Sequence, residues 1–202
     1  MSAAPTPAPS PRRDAILDAA IGVFGRFGFK KTSVDDLAAA AQISKQGLYL
    51  HFSSKEAVFQ AALRKYLDDG MASVQQELTT PHVRLIYRLV AALDAWFGRH
   101  LVTFSPEAFD LIEAGDRLSG RQVVEYQNVL QSQLEKALAD STEFKRTANV
   151  CSPNEVSQAL LLCGLSWKDG YASRAHFAQK MGLCVRASCQ LGVGVNQRGP
   201  TR

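Results

Sequence analysis

Residues 32–56 predict two short helices joined by a tight turn, and they read TSVDDLAAAAQISKQGLYLHFSSKE. Thr32 or Ser33 is suited to cap the first helix, because a hydroxyl oxygen accepts from a free backbone N–H, and two aspartates follow in the first turn. Ser44 is suited to cap a second helix over about residues 45–52. Only a few residues separate the two helices, so this stretch predicts a helix-turn-helix.

The second of these helices begins with side chains that can read DNA. Lys45 can donate to guanine and Gln46 can pair with adenine, while Gly47 allows a close approach of the backbone. Hydroxyls and backbone N–H groups at the helix caps are suited to phosphates. The face that we expect to be buried consists of Val34, Leu37, Ala38, Ile43, Leu48 and Phe52.

Residues 16–59 resemble the DNA-binding domain of the TetR family. Gln42 departs from the family pattern, which usually has glycine in the turn. The resemblance covers only the N-terminal part of the chain, and the rest matches in length and in its number of helices. The matching pieces are Ala19-Ala20, Phe24, Gly28-Phe29, Thr32-Ser33-Val34, Leu37-Ala38, Leu48-Tyr49-Leu50-His51-Phe52 and Ser54-Lys55-Glu56.

The resemblance implies a set of residues that contact DNA. Arg12 and Arg13 are expected to form an arm to the minor groove or the backbone, and packing at a domain junction is the alternative for Tyr49 and His51. Phosphate contacts are implied for Tyr49, His51, Lys55 and Thr32 or Ser33, and base contacts for Lys45, Gln46 and Gly47. The whole predicted DNA-binding set is Thr32, Ser33, Ser44, Lys45, Gln46, Gly47, Tyr49, His51 and Lys55.

Helical periodicity dominates the rest of the chain, which is therefore predicted to be all-α with about nine helices. Ile16, Leu17, Ala20, Val23, Phe24 and Phe27 form an apolar stripe in the first helix. Gly28 is suited to end that helix, and Ser53 or Ser54 to begin the fourth, with Ser53 and Glu56 as a capping box. The predicted helices span about residues 12–27, 33–41, 45–52, 54–78, 82–103, 105–119, 121–140, 153–171 and 174–191.

These helices predict two domains between two tails. A three-helix helix-turn-helix domain is expected at residues 12–54, followed at residues 55–192 by a larger helical domain for ligand sensing and dimerisation. Residues 1–11, which hold four prolines, are expected to be a disordered tail, and residues 193–202 a frayed one.

Homodimerisation through the last two long helices is implied by the resemblance, and a helix-turn-helix usually works in pairs. A purely intramolecular bundle is the alternative. Gly164 would permit close approach of the helices. The two candidate stripes are Val156, Leu160, Cys163, Trp167 and Tyr171 on one helix, and Phe177, Met181, Cys184, Ser188 and Leu191 on the other.

A small, largely apolar or aromatic ligand is expected between the fifth and eighth helices, because helical bundles hold ligands in such places. Asp94 and His100 could orient it, although a solvated helix edge explains them as well. The resemblance implies a repressor that releases a palindromic operator when this ligand binds. A ligand-independent DNA-binding protein and an activator stay open as alternatives. The candidate ligand-binding residues, each of which also suits an ordinary core, are Trp96, Phe97, His100, Phe104, Phe109, Tyr126 and Trp167.

Charge and composition narrow the class of protein. The net charge is +4, and +3 of it lies in residues 1–55, which contain seven lysines and arginines and four aspartates. No catalytic motif, cofactor site or metal-ligand spacing is present, so we expect no enzyme. We also expect a cytoplasmic protein without a membrane segment. Reduced thiols are expected, with redox sensing left open, at Cys151, Cys163, Cys184 and Cys189.

Overall fold

The structure, a computed structural model, describes residues 11–105, 108, 110–145, 151–166 and 173–189, without the side chains at positions 110, 112, 113 and 116. Within these ranges the chain is helical and has no strand, which confirms the predicted all-α class. No described helix is long and apolar enough to cross a membrane. The elements are α1 (Pro11–Lys31), α2 (Val34–Ala40), α3 (Lys45–Tyr49), α4 (Lys55–Thr79), α5 (Leu85–Leu93), a π-helical segment (Asp94–Gly98), α6 (His100–Thr103), α7 (Asp110–Ser119), α8 (Gln122–Asp140), α9 (Thr142–Lys145), α10 (Pro153–Leu165) and α11 (Arg174–Cys189).

Two compact units make up the described chain. The first unit contains residues 11–70 and the described part of 102–126, and the second contains residues 71–101 and the described part of 127–189. The first unit thus includes most of α4 and a later segment of the chain, besides the region expected to form the helix-turn-helix domain. Both expected tails lie outside the described residues, except for Pro11, which begins α1.

An aromatic cluster forms the centre of the first unit. Phe24 and Phe29 each contact the ring of Phe59 on α4 edge-on, with ring centroids 5.1 and 5.2 Å apart. Ile16 and Leu17 extend the same buried face of α1. Burial of large aromatic side chains is strongly stabilising, so this cluster joins α1 firmly to α4.

Gly28 interrupts the regular backbone of α1, as its sequence position suggests. Its φ of 82° lies in the left-handed region, which a residue with a β-carbon adopts at a cost. The reversal brings Phe29 into the aromatic cluster, where its side chain is buried. Helical structure then continues to Lys31, so the element is a kinked helix and extends beyond its predicted end at residue 27.

Serine side chains cap the three helices that follow. Ser33 and Ser44 cap α2 and α3 as predicted, accepting from the backbone N–H groups of Asp36 at 3.1 Å and of Gly47 at 3.0 Å. The expected capping box of Ser53 with Glu56 does not form. Ser54 caps α4 in its place, because its hydroxyl oxygen accepts from the N–H of Ala57 at 3.1 Å.

The single helix predicted over residues 82–103 is instead three segments. α5 begins at Leu85, and the π-helical segment at Asp94–Gly98 separates it from α6. A π-helical turn holds one residue more than an α-helical turn, and in this case Trp96 and Phe97 are both buried. Apolar periodicity does not reveal such an insertion, which explains why the sequence predicted one continuous helix.

Residues 141–152, which lie between two predicted helices, include a short helix, α9. Ser141 accepts from the N–H groups of Glu143 and Phe144 at 3.2 Å each, and the ring of Phe144 is buried. Glu143 also accepts from the guanidinium group of Arg84 at 2.8 Å. The helical periodicity that predicted the longer helices does not extend to a helix of four residues, which one buried aromatic ring and one serine cap stabilise in this structure.

Candidate DNA-binding surface

The turn between α2 and α3 is closed by backbone hydrogen bonds. The N–H of Ile43 donates to the carbonyl of Ala38 at 3.0 Å, and the N–H of Ala41 donates to Leu37 at 3.0 Å. Gln42 has a φ of 55°, in the left-handed region that favours glycine. The departure from the family pattern at Gln42 therefore coincides with the strained residue of the turn.

The two helices are held by one apolar face, as predicted. Leu37, Ala38, Leu48 and Phe52 are buried, whereas Val34 and Ile43 are half-buried. Ala38 contributes a small buried side chain from α2, and Leu48 is the only buried residue of α3. Because α3 has just five residues, it depends on this packing for its helical conformation.

The opposite face of α3 is exposed and polar. Lys45, Gln46 and Tyr49 are exposed, and Gly47 is half-buried. Lys45 forms an ion pair with Asp35 of α2, with Nζ and Oδ2 3.1 Å apart, and more than half of each side chain is accessible to solvent. Such an exposed pair contributes little to stability, so Lys45 can exchange it for another acceptor.

The glycine at position 47 has a local structural cause. A β-carbon placed there would lie 3.3 Å from the hydroxyl oxygen of Ser44, the residue that caps α3. This separation is tighter than ordinary van der Waals contact, so a larger side chain would press on the cap. Gly47 therefore leaves room for the cap that Ser44 forms at the start of α3. The same lack of a side chain would also allow the backbone to approach DNA closely.

Of the predicted DNA-binding set, Thr32 is buried and Lys55 is half-buried. The side chain of Thr32 is only 2% exposed, and its hydroxyl donates to the carbonyl of Gly28 at 2.6 Å. The ammonium group of Lys55 donates to the carbonyls of Phe29 and Thr32, each at 3.0 Å, and lies 4.4 Å from the centre of the Phe29 ring. Both side chains thus satisfy the carbonyl end of α1.

The remaining predicted contacts lie on or near the outer surface. Ser33 is exposed, but its hydroxyl donates to Asp36 at 2.6 Å and the hydrogen bonds from Ser33 lower the pKa of that carboxyl group. His51 is half-buried, with its ring 6.4 Å from that of Phe52. Leu50, which the sequence did not single out, is 86% exposed directly after α3. An unusually exposed leucine cannot be recognised from periodicity alone.

Arg12 and Arg13 lie in the first turn of α1, where Arg12 is exposed. The guanidinium carbon of Arg13 lies 4.8 Å from the centre of the Phe52 ring, close enough for a cation–π contact. Both arginines of the expected arm are therefore helical in this structure. The side chain of Arg13 also packs on Phe52, at the end of the helix-turn-helix.

The candidate ligand-binding residues are divided between the two units. Trp96, Phe97 and His100 are buried in the second unit. Phe104 and Tyr126 belong to the first, where the ring of Phe104 lies 5.3 Å from that of Tyr66 and the hydroxyl of Tyr126 donates to Asp68. Burial, together with Asp68, raises the pKa of Tyr126 to about 12. Phe109 and Trp167 lie outside the described residues.

The aromatic residues of the second unit are tightly packed. A β-carbon added at Gly164 of α10 would collide with the ring of Phe97, so this glycine makes room for the ring. Asp94, which was expected to orient a ligand, forms an ion pair with Arg174 at 2.8 Å. Trp96 and Phe97 therefore form part of a packed core in the second unit.

Four of the seven described residues in the stripes that were expected to form a dimer interface are buried, and Trp167, Tyr171 and Leu191 lie outside the described residues. Val156 and Leu160 of α10 and Phe177 and Met181 of α11 are buried within the chain. Helical periodicity identified a buried face correctly, but it could not tell whether this chain or a partner covers it. The large apolar residues that are exposed on these two helices are Leu162, at 68%, and Leu183, at 50%.

The four cysteines are free thiols in the structure. Burial, followed by the hydrogen bond with Cys184, raises the pKa of Cys163 to about 11, and burial raises the pKa of Cys189 to about 12. A raised thiol pKa suppresses the reactive thiolate. Among the described residues, no group of three or more histidine, cysteine or acidic side chains is placed to hold a metal ion.

Comparison with known proteins places the helix-turn-helix in a family. Residues 16–62 match the family model described as "Bacterial regulatory proteins, tetR family". The chain is 35% identical over 122 residues to the HTH-type transcriptional repressor KstR2 of Mycolicibacterium smegmatis, covering 54% of this chain and 60% of that protein. It is also 35% identical over 113 residues to the HTH-type transcriptional activator FasR of the same organism, covering 55% and 50%.

A solved structure shares the fold over most of the chain. AibR, in complex with isovaleryl coenzyme A and operator DNA, superposes with a TM-score of 0.60 at 21% identity, covering 85% of this chain and 96% of AibR. The matches to KstR2 and FasR span less than two thirds of those proteins' lengths. The match over residues 16–62 therefore assigns the helix-turn-helix region to the TetR family of bacterial regulatory proteins, and the likeness to AibR shows that the fold is shared over most of the chain.

Proposed function

We propose that this protein is a dimeric, DNA-binding transcriptional repressor that releases a palindromic operator when it binds a small, largely apolar or aromatic ligand. The observation that supports DNA binding best is the geometry of α3. One buried residue, Leu48, anchors this short helix, while Lys45 and Gln46 at its start face solvent. A polar helix start presented on a rigid base is the arrangement with which helix-turn-helix proteins read base edges.

The proposed contacts fall into two groups. Lys45 and Gln46 face bases, and the exposed Leu50 is suited to the methyl group of a thymine. Tyr49, His51 and the hydroxyl of Ser44 face phosphates. The oxygen of Ser44 accepts from Gly47, which leaves its hydrogen to donate to a phosphate.

Thr32 and Lys55 take a different part in this proposal from the one that the sequence suggested. They hold the end of α1 against the start of α4 and so position the helix-turn-helix, since their polar atoms are bonded to backbone carbonyls. Lys55 adds positive charge near the surface, but its ammonium group is bonded to the carbonyls of Phe29 and Thr32, so we do not assign it a direct contact with a phosphate.

Dimerisation is proposed through the exposed faces of α10 and α11, centred on Leu162 and Leu183. Large exposed apolar side chains on adjacent long helices favour association. Sedimentation of Leu162→Asp and Leu183→Asp tests this interface, with Val102→Asp as a control at another exposed apolar position. Dimers lost in the first two variants but kept in the control are expected, and dimers kept in all three would contradict the interface.

Ligand binding is proposed in the second unit, around Trp96 and Phe97. The ring of Phe97 occupies the space above Gly164, so a ligand would have to displace it and favour a second packing of the core. The adjoining π-helical segment is a type of element that is frequent at functional sites. AibR was solved with a coenzyme A thioester and operator DNA, which supports a ligand-responsive role.

An activator remains a second candidate, since one of the relatives is an activator by name. A reporter gene placed behind the selected operator distinguishes the two functions. Repression in the absence of ligand is expected, and stimulation of transcription by the bound protein would favour the activator.

A further inference from the structure

A polar cleft of about 650 Å³ lies within the first unit, separate from the exposed face of α3. Its walls come from the start of α1, from the middle of α4, and from the residues that join α7 to α8. The volume is within the range of small-molecule sites in proteins. The lining differs from that of most such sites, because charged and amide side chains dominate it.

Two polar groups in this lining lack hydrogen-bond partners. The side chain of Gln122 is only 9% exposed, and its amide nitrogen has no acceptor among the residues that the structure describes. The buried hydroxyl of Ser119, three residues earlier in the chain, also has no hydrogen-bond partner among the residues that the structure describes. Because a buried amide without a partner is destabilising, both groups point to an acceptor supplied from the cleft.

Several of the charged groups in the cleft already have partners within the chain. Lys65 lies 2.7 Å from both Asp18 and Asp69, and although burial acts against it, these two carboxylates raise the pKa of Lys65. Asp68 accepts from the hydroxyl of Tyr126. These groups are structural and do not call for a ligand.

Two charged side chains of the lining have no direct partner of this kind. Arg64 of α4 and Asp14 of α1 make no hydrogen bond or ion pair with any other part of the chain that the structure describes, although the charge of Arg64 favours ionisation of Tyr126. The cleft therefore offers the guanidinium group of Arg64, the carboxylate of Asp14 and the buried amide donor of Gln122, beside the guanidinium group of Arg13. A guanidinium group recognises carboxylates, and a carboxylate recognises an ammonium group.

We propose that this cleft binds a small zwitterion of amino-acid type, with Arg64 holding its carboxylate, Asp14 its ammonium group, and the amide of Gln122 donating to an acceptor atom elsewhere on the molecule. This polar site is distinct from the apolar site proposed in the second unit. It lies between α1 and α4, the two helices joined by the contact of Phe24 with Phe59.

Occupancy of the cleft has a consequence for the helix-turn-helix. A ligand that bridges Asp14 and Arg64 fixes the spacing of α1 and α4, on which Phe52 and the carbonyl end of α1 depend. We therefore expect operator affinity to change when the zwitterion binds. This consequence rests on the proposed DNA-binding function, whereas occupancy of the cleft does not.

Binding is tested without DNA, so that its failure is separate from a failure of the DNA-binding proposal. The unfolding temperature of the full chain is measured with each standard L-amino acid in turn at millimolar concentration, and binders are titrated by calorimetry. At least one amino acid is expected to raise the unfolding temperature. Its N-acetyl and carboxamide derivatives should each bind about tenfold more weakly or worse, because each loses one charged contact. An absence of stabilisation by every amino acid would overturn the proposal.

Substitutions of residues that line the cleft test whether the amino acid binds there. Arg64→Gln and Asp14→Asn are each expected to weaken it about tenfold or more, while Arg121→Gln, at an exposed arginine outside the lining, should not. Gln122→Leu should weaken binding by about threefold to tenfold and raise the unfolding temperature of the free protein by roughly 2–4 °C, since it removes the buried amide. Binding that survives Arg64→Gln and Asp14→Asn would place the ligand elsewhere and contradict the proposal.

Discussion

The ammonium group of Lys55 donates to the carbonyl oxygen of Thr32 at a distance of 3.0 Å. This bond, with a second one to Phe29, places the charge of Lys55 at the carbonyl end of α1, where the helix dipole favours a cation. The sequence suggested that the same lysine contacts a phosphate. The two roles predict different results for one substitution.

Lys55→Met is expected to lower the free energy of unfolding by about 1.5–3 kcal/mol, because two charge-assisted hydrogen bonds are lost. Denaturant titration measures this change. The salt dependence of DNA binding should stay the same at temperatures where the variant is folded. A slope of log affinity against log salt that falls by about 1, without loss of stability, would show that Lys55 is a phosphate contact after all.

Asp35→Asn is expected to strengthen DNA binding a few-fold at low salt. The substitution releases Lys45 from its ion pair and removes a negative charge from the surface of α2, while the exposed pair itself contributes only about 0–1 kcal/mol to stability. Fluorescence anisotropy with an operator duplex measures the change. Asp140→Asn, at an exposed position on α8, is the matched control, and equal effects of the two variants would refute the assignment of Lys45.

Gln42→Gly is expected to raise the free energy of unfolding by about 0.5–1 kcal/mol, because glycine adopts the φ of 55° without strain. The gain is reduced by the greater freedom of glycine in the unfolded chain. Gln42→Ala retains the strain and should give no gain. If alanine stabilised the protein as much as glycine, the side chain of Gln42 and not its backbone conformation would be the cause.

Thiol reactivity should follow burial. At pH 8, Cys151, which is exposed, is expected to react rapidly with a disulfide reagent, while Cys189 reacts only as the protein opens. Because burial raises the pKa of Cys189 from 9 to about 12, the unfolded chain loses its proton first, and stability should fall as the pH rises above 9. Cys189→Ala should reduce this alkaline loss, and rapid labelling of Cys189 in the native protein would contradict its placement.

The helix-turn-helix was predictable from sequence to an unusual degree. The serine caps, the buried face from Leu37 to Phe52 and the turn all depend on neighbours close in the chain, and local patterns describe such interactions well. The hydrogen bonds of Thr32 and Lys55 to backbone carbonyls were not predictable in the same way. Their partners belong to the end of α1, and only the fold shows that a lysine at position 55 reaches the carbonyl of residue 29.

The packing of the second unit could not be predicted from the sequence to the same extent, for a physical reason. Aromatic residues such as Trp96 and Phe97 fill cores and line pockets equally well, so composition alone cannot distinguish the two. The π-helical segment changes the direction of these side chains without any signal in the apolar pattern. Likewise, the burial of Val156 and Phe177 within the chain, and the exposure of Leu162, depend on how α10 and α11 pack.

The proposed role of α3 as the reader of a palindromic operator can be examined by selecting random duplexes with the purified protein at near-physiological salt and sequencing the bound pool. If α3 has this role, we expect a palindromic consensus whose half-sites lie about one helical turn apart. Gln46→Ala should then change the preference at one position in each half-site, while Tyr49→Phe should weaken binding to every sequence alike. An unenriched pool from folded protein, or a consensus that Gln46→Ala leaves unchanged, would contradict this role.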